Sequence, residues 1–136
     1  AEKVLRAGIE NVPDVGSLHY SLGLLLVRTG HTDEALTVLQ AAYELDKRNP
    51  RFGYVYAVAL DSTGAPGKAL DVWKGVLELH PNDRETLQAL AVGFYRQGEP
   101  GKARKVAERL SVLLPGNPSA TELMANIKAV AGGQQR

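Results

Sequence analysis

Apolar residues return along this chain at steps of three and four: Leu18, Leu22, Leu25 and Leu26 in one stretch, Leu87, Leu90, Ala91 and Phe94 in another. That spacing sets them on one stripe of an α-helix, whereas a half-buried strand would alternate apolar and polar side chains with period two. Amphipathic helices are expected at about 16–29, 32–46, 50–63, 66–79, 84–97 and 100–113. Gly30, Gly64 and Gly98 end the first helix of each pair, because a residue without Cβ takes the left-handed C′ conformation without penalty. Thr32 has the side chain of an N-cap, and Pro66 and Pro100 suit the first turn of a helix, where the missing amide would have no partner anyway. Pro81 and Pro115 stop the second helices. Two further helices are expected at the ends, over Glu2–Asn11 before Pro13 and over Ser119–Val130, with Gly132–Arg136 a frayed, disordered tail.

The pattern repeats. Gly30, Gly64 and Gly98 are 34 residues apart, and so are Ala35, Ala69 and Ala103. At the same phase lie Leu22, Tyr56 and Leu90, then Gly23, Ala57 and Ala91, then Leu26, Leu60 and Phe94. Small residues at two of these phases let paired helices approach closely, and Leu39, Trp73 and Ala107 occupy the facing phase of the second helix. A fixed period of this length marks a stacked array in which each repeat buries its apolar face against its neighbours.

A 34-residue period with small residues at these phases resembles the tetratricopeptide repeat (TPR) family. The resemblance implies an all-α fold, a right-handed α-solenoid or superhelix of antiparallel helix pairs with about eight helices. Residues 16–49, 50–83 and 84–117 would be three full repeats, residues 1–13 the second helix of a truncated preceding repeat, residues 118–131 a C-terminal solvating helix and residues 132–136 the tail. His19, Gly53 and Thr121 depart from the family pattern by replacing its first aromatic, and Lys47 replaces the closing proline. The start at Ala1, without Met and with half a repeat, suggests a C-terminal part of a longer protein; an N-terminal edge bearing Val4, Leu5 and Ile9 would then be open to self-association.

Composition narrows the function. Lys plus Arg number 16 against 15 for Asp plus Glu, a formal net charge of +1 that gives no footing for a nucleic-acid partner. The longest apolar run, Leu22–Val27, is far short of the roughly 18–20 residues of a membrane span, so direct membrane insertion is not expected. With no cysteine there is neither disulfide, thiolate nor covalent haem attachment, and the compartment stays open between bacterial cytoplasm and periplasm. His19, His31 and His80 have no carboxylate at a metal-binding offset, so no metal or other cofactor is expected. Asp33-Glu34 and Asp83 with Glu85 fall in first turns of helices, where carboxylates favour the macrodipole, and catalysis is not expected. Gly64-Ala65-Pro66-Gly67-Lys68 lacks the spacing of a phosphate loop. Lys102, Lys105 and Arg109, with Arg104 and Glu108 beside them, form a solvated outer face.

The resemblance also implies a binding surface, because in the family the first helices line a concave groove. Carried onto this sequence, the groove positions are Ser17, Tyr20, Leu24, Val27 and Arg28 in the first repeat. The second repeat contributes Arg51, Tyr54, Val58, Asp61 and Ser62, and the third Glu85, Gln88, Val92, Tyr95 and Arg96. Tyrosine and arginine at such positions suit binding hot spots, because each joins a large contact area to directional polar groups. The Lys/Asn clamp that grips a C-terminal carboxylate in some family members is absent: its positions hold Tyr20, Leu24, Val55, Glu85 and Ala89. The expected function is a non-catalytic protein-interaction scaffold that takes a peptide or helical segment of a protein partner. The alternative is a structural or self-association module of a larger enzyme or electron-transfer protein, since the stretches His19–Leu26 and Tyr54–Leu60 resemble repeats that follow multihaem cytochrome domains.

Overall fold

The computed structural model describes residues 1–134, with side chains described through residue 129. Among the described residues the regular structure is helical throughout, in eight helices: α1 (Glu2–Asn11), α2 (Gly16–Arg28), α3 (Thr32–Leu45), α4 (Pro50–Ser62), α5 (Pro66–Leu79), α6 (Arg84–Arg96), α7 (Pro100–Leu113) and α8 (Pro118–Gln134). From α2 to α7 each helix starts where the spacing predicts and ends within one residue of it. At the far end α8 runs through Gln134, past Gly132 and Gly133, where a tail is expected. Two glycines weaken a helix by roughly 1 kcal/mol each but no proline follows to stop it. Gln135 and Arg136, the rest of the expected tail, lie outside the described residues.

The turns within the pairs share one construction. Gly30, Gly64 and Gly98 have φ of 83°, 91° and 75°. In each, the amide after the glycine reaches back to the first helix: His31 to Leu26 O at 2.8 Å, Ala65 to Leu60 O at 2.9 Å, Glu99 to Phe94 O at 2.9 Å. The glycine amides bond Val27, Asp61 and Tyr95 carbonyls, completing a Schellman closure that satisfies carbonyls the helix end would leave open. Thr29 and Thr63 add their hydroxyls to the same carbonyl ends.

One expectation is corrected here. Thr32 is the first residue of α3, not its N-cap; the cap is His31, with no side-chain bond. The turn is too short for anything else. His31 donates its amide to the helix behind it while its carbonyl accepts from Ala35 N at 3.0 Å ahead, so one residue closes α2 and opens α3.

Side-chain caps appear at the other junctions, again 34 residues apart. Asn49 accepts from Arg51 N at 3.1 Å, and Asn117 from Ala120 N at 3.1 Å. Asp83 accepts from Thr86 N at 3.2 Å and also from the hydroxyl of Thr86, which is fully buried. Asp83→Ala is expected to cost about 2 kcal/mol: roughly 1 for the cap, and more because the Thr86 hydroxyl loses its acceptor inside the protein. Urea unfolding checks this, with Asp83→Asn, which keeps an acceptor, expected to lose less than half as much.

The chain divides into two compact units, the first Ala1–Val72 and the second beginning at Trp73. In the first, α1 packs on α2, α2 on α3 and α3 on α4. Leu22, Leu26 and Ala35 form its buried cluster, flanked by Leu5, Ile9 and Val38. Close approach of α2 and α3 depends on Gly23: a Cβ there would stand 2.5 Å from Leu39 Cδ2 and 2.6 Å from Leu39 Cγ. Helix α1 buries no residue fully; besides Leu5 and Ile9 it is tied down by Arg6, which pairs with Glu34 on α3 and with Glu2. In the second unit α6 packs on α7, and α8 on both. Leu87, Leu110 and Ala120 are buried there among Leu77, Val106, Leu113 and Leu114.

Candidate interaction face

Each first helix is amphipathic in a way that separates two sets of residues. The buried set is Gly16, Leu22, Gly23 and Leu26 on α2, Phe52, Gly53, Ala57 and Leu60 on α4, and Thr86, Leu87, Leu90, Ala91 and Phe94 on α6. The groove positions expected from the sequence fall on the remaining surface, and none is buried. On α2, Tyr20 and Leu24 are half-buried while Ser17, Val27 and Arg28 are exposed. On α4, Tyr54 and Asp61 are half-buried, and Arg51, Val58 and Ser62 exposed. On α6, Val92 and Tyr95 are half-buried, and Glu85, Gln88 and Arg96 exposed. Val27 and Val58 stand 42% and 41% open to solvent, an exposure that leaves apolar surface to be covered.

The α2/α4 face of the first unit carries an ordered cluster that the sequence did not announce. The Tyr20 ring stacks on Phe52 with centroids 4.9 Å apart and planes 28° apart. Arg51 Nε donates to the Tyr20 hydroxyl at 3.3 Å, and its guanidinium carbon lies 5.9 Å from the centre of the Tyr54 ring. The two tyrosines are thus joined through one arginine, and Tyr20 is as much a packing residue as a surface one. A signal existed: Tyr20 and Tyr54 share a phase, and Arg51 precedes Tyr54 by three residues, the distance at which side chains on one helix meet. Between α3 and α4 a second aromatic pair, Tyr43 and Tyr56, has centroids 6.0 Å apart. Burial first, then Glu44 and Tyr43, hold the Tyr56 phenol above its ordinary pKa, so it stays a neutral group there.

Other candidate groups take structural places. His19 is half-buried and its Nε2 donates to Pro13 O at 2.9 Å, tying α2 to the turn that follows α1. His31 Nδ1 lies 3.1 Å from the Thr29 hydroxyl within the α2–α3 turn. Among the described residues no three His, Asp or Glu side chains gather as a metal site would require, and no helix is long and apolar enough to cross a membrane. On α7 the basic residues Lys102, Arg104, Lys105 and Arg109 are all exposed; Lys102 pairs with Glu99 at 3.0 Å and Arg104 with Glu108 at 3.0 Å.

Two family models described as tetratricopeptide repeat match the chain, over residues 1–50 and 26–91. No curated protein matches it. Among solved structures, the crystal structure of MamA is similar with a TM-score of 0.86 at 18% identity, covering 96% of this chain and 77% of that one. The first TPR of Spaghetti (RPAP3), solved bound to an HSP90 peptide, gives a TM-score of 0.78 at 19% identity, with 86% and 93% covered. The Yersinia enterocolitica type III secretion chaperone SycD, solved with a peptide of the translocator YopD, gives 0.74 at 18%, with 85% and 93% covered. At these identities the likeness concerns the fold. With the period, the Schellman turns and the family matches together, this chain belongs to the tetratricopeptide repeat family.

Proposed function

We propose that the chain is a non-catalytic interaction scaffold that takes a peptide or helical segment of a partner protein on its first-helix faces, α2 with α4 in the first unit and α6 in the second. The observation that carries this reading is the sorting of side chains on those helices. Tyr20, Leu24, Val27, Tyr54, Val58, Val92 and Tyr95 all lie outside the buried set and keep apolar or aromatic surface accessible. Tyr20 and Tyr54 are held by Phe52 and Arg51 before any partner arrives, so little side-chain entropy is lost on binding. Two similar structures were solved with peptides bound and a third is described as having a peptide-binding site, which supports the same class of partner here. Alternating apolar and polar groups along such a face suit a segment with hydrophobic anchors.

Because Tyr20 packs on Phe52, its removal would disturb the fold as well as the face, and the exposed valines make a cleaner test. Segments selected against the native chain from a random peptide display library are expected to lose at least about tenfold in affinity for the double variant Val27→Glu/Val58→Glu, while Lys105→Glu on α7 leaves affinity unchanged. Equal binding to all three proteins by fluorescence anisotropy would remove the proposal.

A further inference from the structure

A cleft of about 250 Å³ opens between α1, α2 and α3, lined by Arg6, Ile9, Glu10, His19, Leu22 and Val38. Its origin lies in one residue. The phase that holds His19 in the first repeat holds Leu87 in the third, and Leu87 is buried to 1% exposure in the core of its unit. His19 does not fill the equivalent space, because its Nε2–H reaches for the Pro13 carbonyl and draws the ring toward the α1–α2 turn. What remains is an apolar floor of Ile9, Leu22 and Val38 with a polar rim.

The rim has a sign. Arg6 is already engaged by Glu34 and by Glu2, so its charge is spent within the protein. Glu10, exposed on the rim, has no ion pair among the described residues. His19, whose Nε2 donates to the Pro13 carbonyl, lines the cleft beside it. A carboxylate without an ion pair therefore lines an apolar cleft whose arginine is already engaged. From this we infer that the cleft is a binding site for a compact apolar group carrying an ammonium: the hydrocarbon covers Ile9, Leu22 and Val38, and the ammonium donates to Glu10. The volume lies below the range of about 300–1,000 Å³ typical of drug-sized ligands, which limits the occupant to a free amine of about the size of an arylalkylamine. The site uses His19 and Leu22 of α2, not the Tyr20–Leu24–Val27 face, and stands or falls independently of it.

The test is a methyl-resolved NMR titration of the full chain with phenethylamine and, separately, with phenylacetate, which keeps the ring and reverses the charge. Phenethylamine is expected to shift the Ile9, Leu22 and Val38 methyl signals saturably at millimolar concentration, with phenylacetate at least about tenfold weaker. Glu10→Gln, an exposed change that leaves the fold alone, is expected to erase that preference. His19→Leu, which places in the cleft the residue that the third repeat buries, is expected to abolish binding of both probes. Equal shifts from the two probes, no saturable shift at these methyls, or an unchanged preference in Glu10→Gln would each overturn the inference.

Discussion

Trp73→Ala is expected to destabilise the chain by about 3–5 kcal/mol, a large part of the roughly 5–15 kcal/mol that holds a protein of this size together. Trp73 is the single tryptophan and only 3% exposed, so its truncation removes the largest side chain in the interior and leaves a cavity that neighbours fill incompletely. Its indole also has an unusual feature: Nε1 is buried without a hydrogen-bond partner among the described residues. An unpaired buried donor carries a desolvation cost of roughly 1–3 kcal/mol, which Phe at the same place would not bear. Trp73→Phe is therefore expected to stay within about 1 kcal/mol of the native protein, the lost area offset by the lost penalty. Urea unfolding followed by far-ultraviolet circular dichroism compares all three. A Phe variant as unstable as the Ala variant would show that shape, not the stranded N–H, decides this site.

The repeat was legible because its determinants are local and recur. A glycine at φ near 80° every 34 residues and an apolar stripe at helical spacing need no knowledge of distant contacts. Less legible were features in which one residue serves two elements. Thr32 has the chemistry of an N-cap, yet the Schellman turn hands that position to His31, whose amide and carbonyl face opposite helices. The caps that do use side chains, Asn49, Asp83 and Asn117, were readable in principle from the same period and stand just before Pro50, Arg84 and Pro118. Position 15 breaks that series with Val15, and α2 accordingly begins without a side-chain cap.

The face was legible as a set of exposed phases and opaque as a set of contacts. Helical periodicity separates Tyr20 from Leu22, but only packing across to α4 puts Phe52 beneath the Tyr20 ring and Arg51 on its hydroxyl. The cleft beside His19 was opaque for a related reason. A histidine at an interior phase suggests a packed core residue; the bond to Pro13 that pulls it aside depends on the path of the α1–α2 turn, which no periodicity specifies. Sequence pattern decides which side of a helix is dry; the competition among neighbours for each polar atom is decided in three dimensions.

The second large effect concerns Gly23 and Leu39, and its value lies in the coupling between them. Gly23→Ala should gain roughly 1 kcal/mol of helix propensity, since alanine is the better helix former. The clash outweighs that gain: the new Cβ would lie 2.6 Å from Leu39 Cγ, an atom near the root of a fully buried side chain that cannot swing clear. A net loss of about 1–2 kcal/mol is expected. Leu39→Ala alone should cost about 2–5 kcal/mol through the cavity it opens beside Gly23. In the third repeat the same two phases are Ala91 and Ala107, both buried, so the fold accommodates an alanine pair there. The double variant Gly23→Ala/Leu39→Ala rebuilds that pair, with the added methyl entering space that the leucine has left. Its loss should be smaller than the sum of the single losses by more than about 1 kcal/mol, the signature of residues in direct contact. Urea unfolding of the four proteins closes the cycle. Additive losses would mean that α2 and α3 shift apart to relieve the clash, so that glycine at position 23 reflects the helix pair's history rather than a contact that α2 and α3 need in order to close.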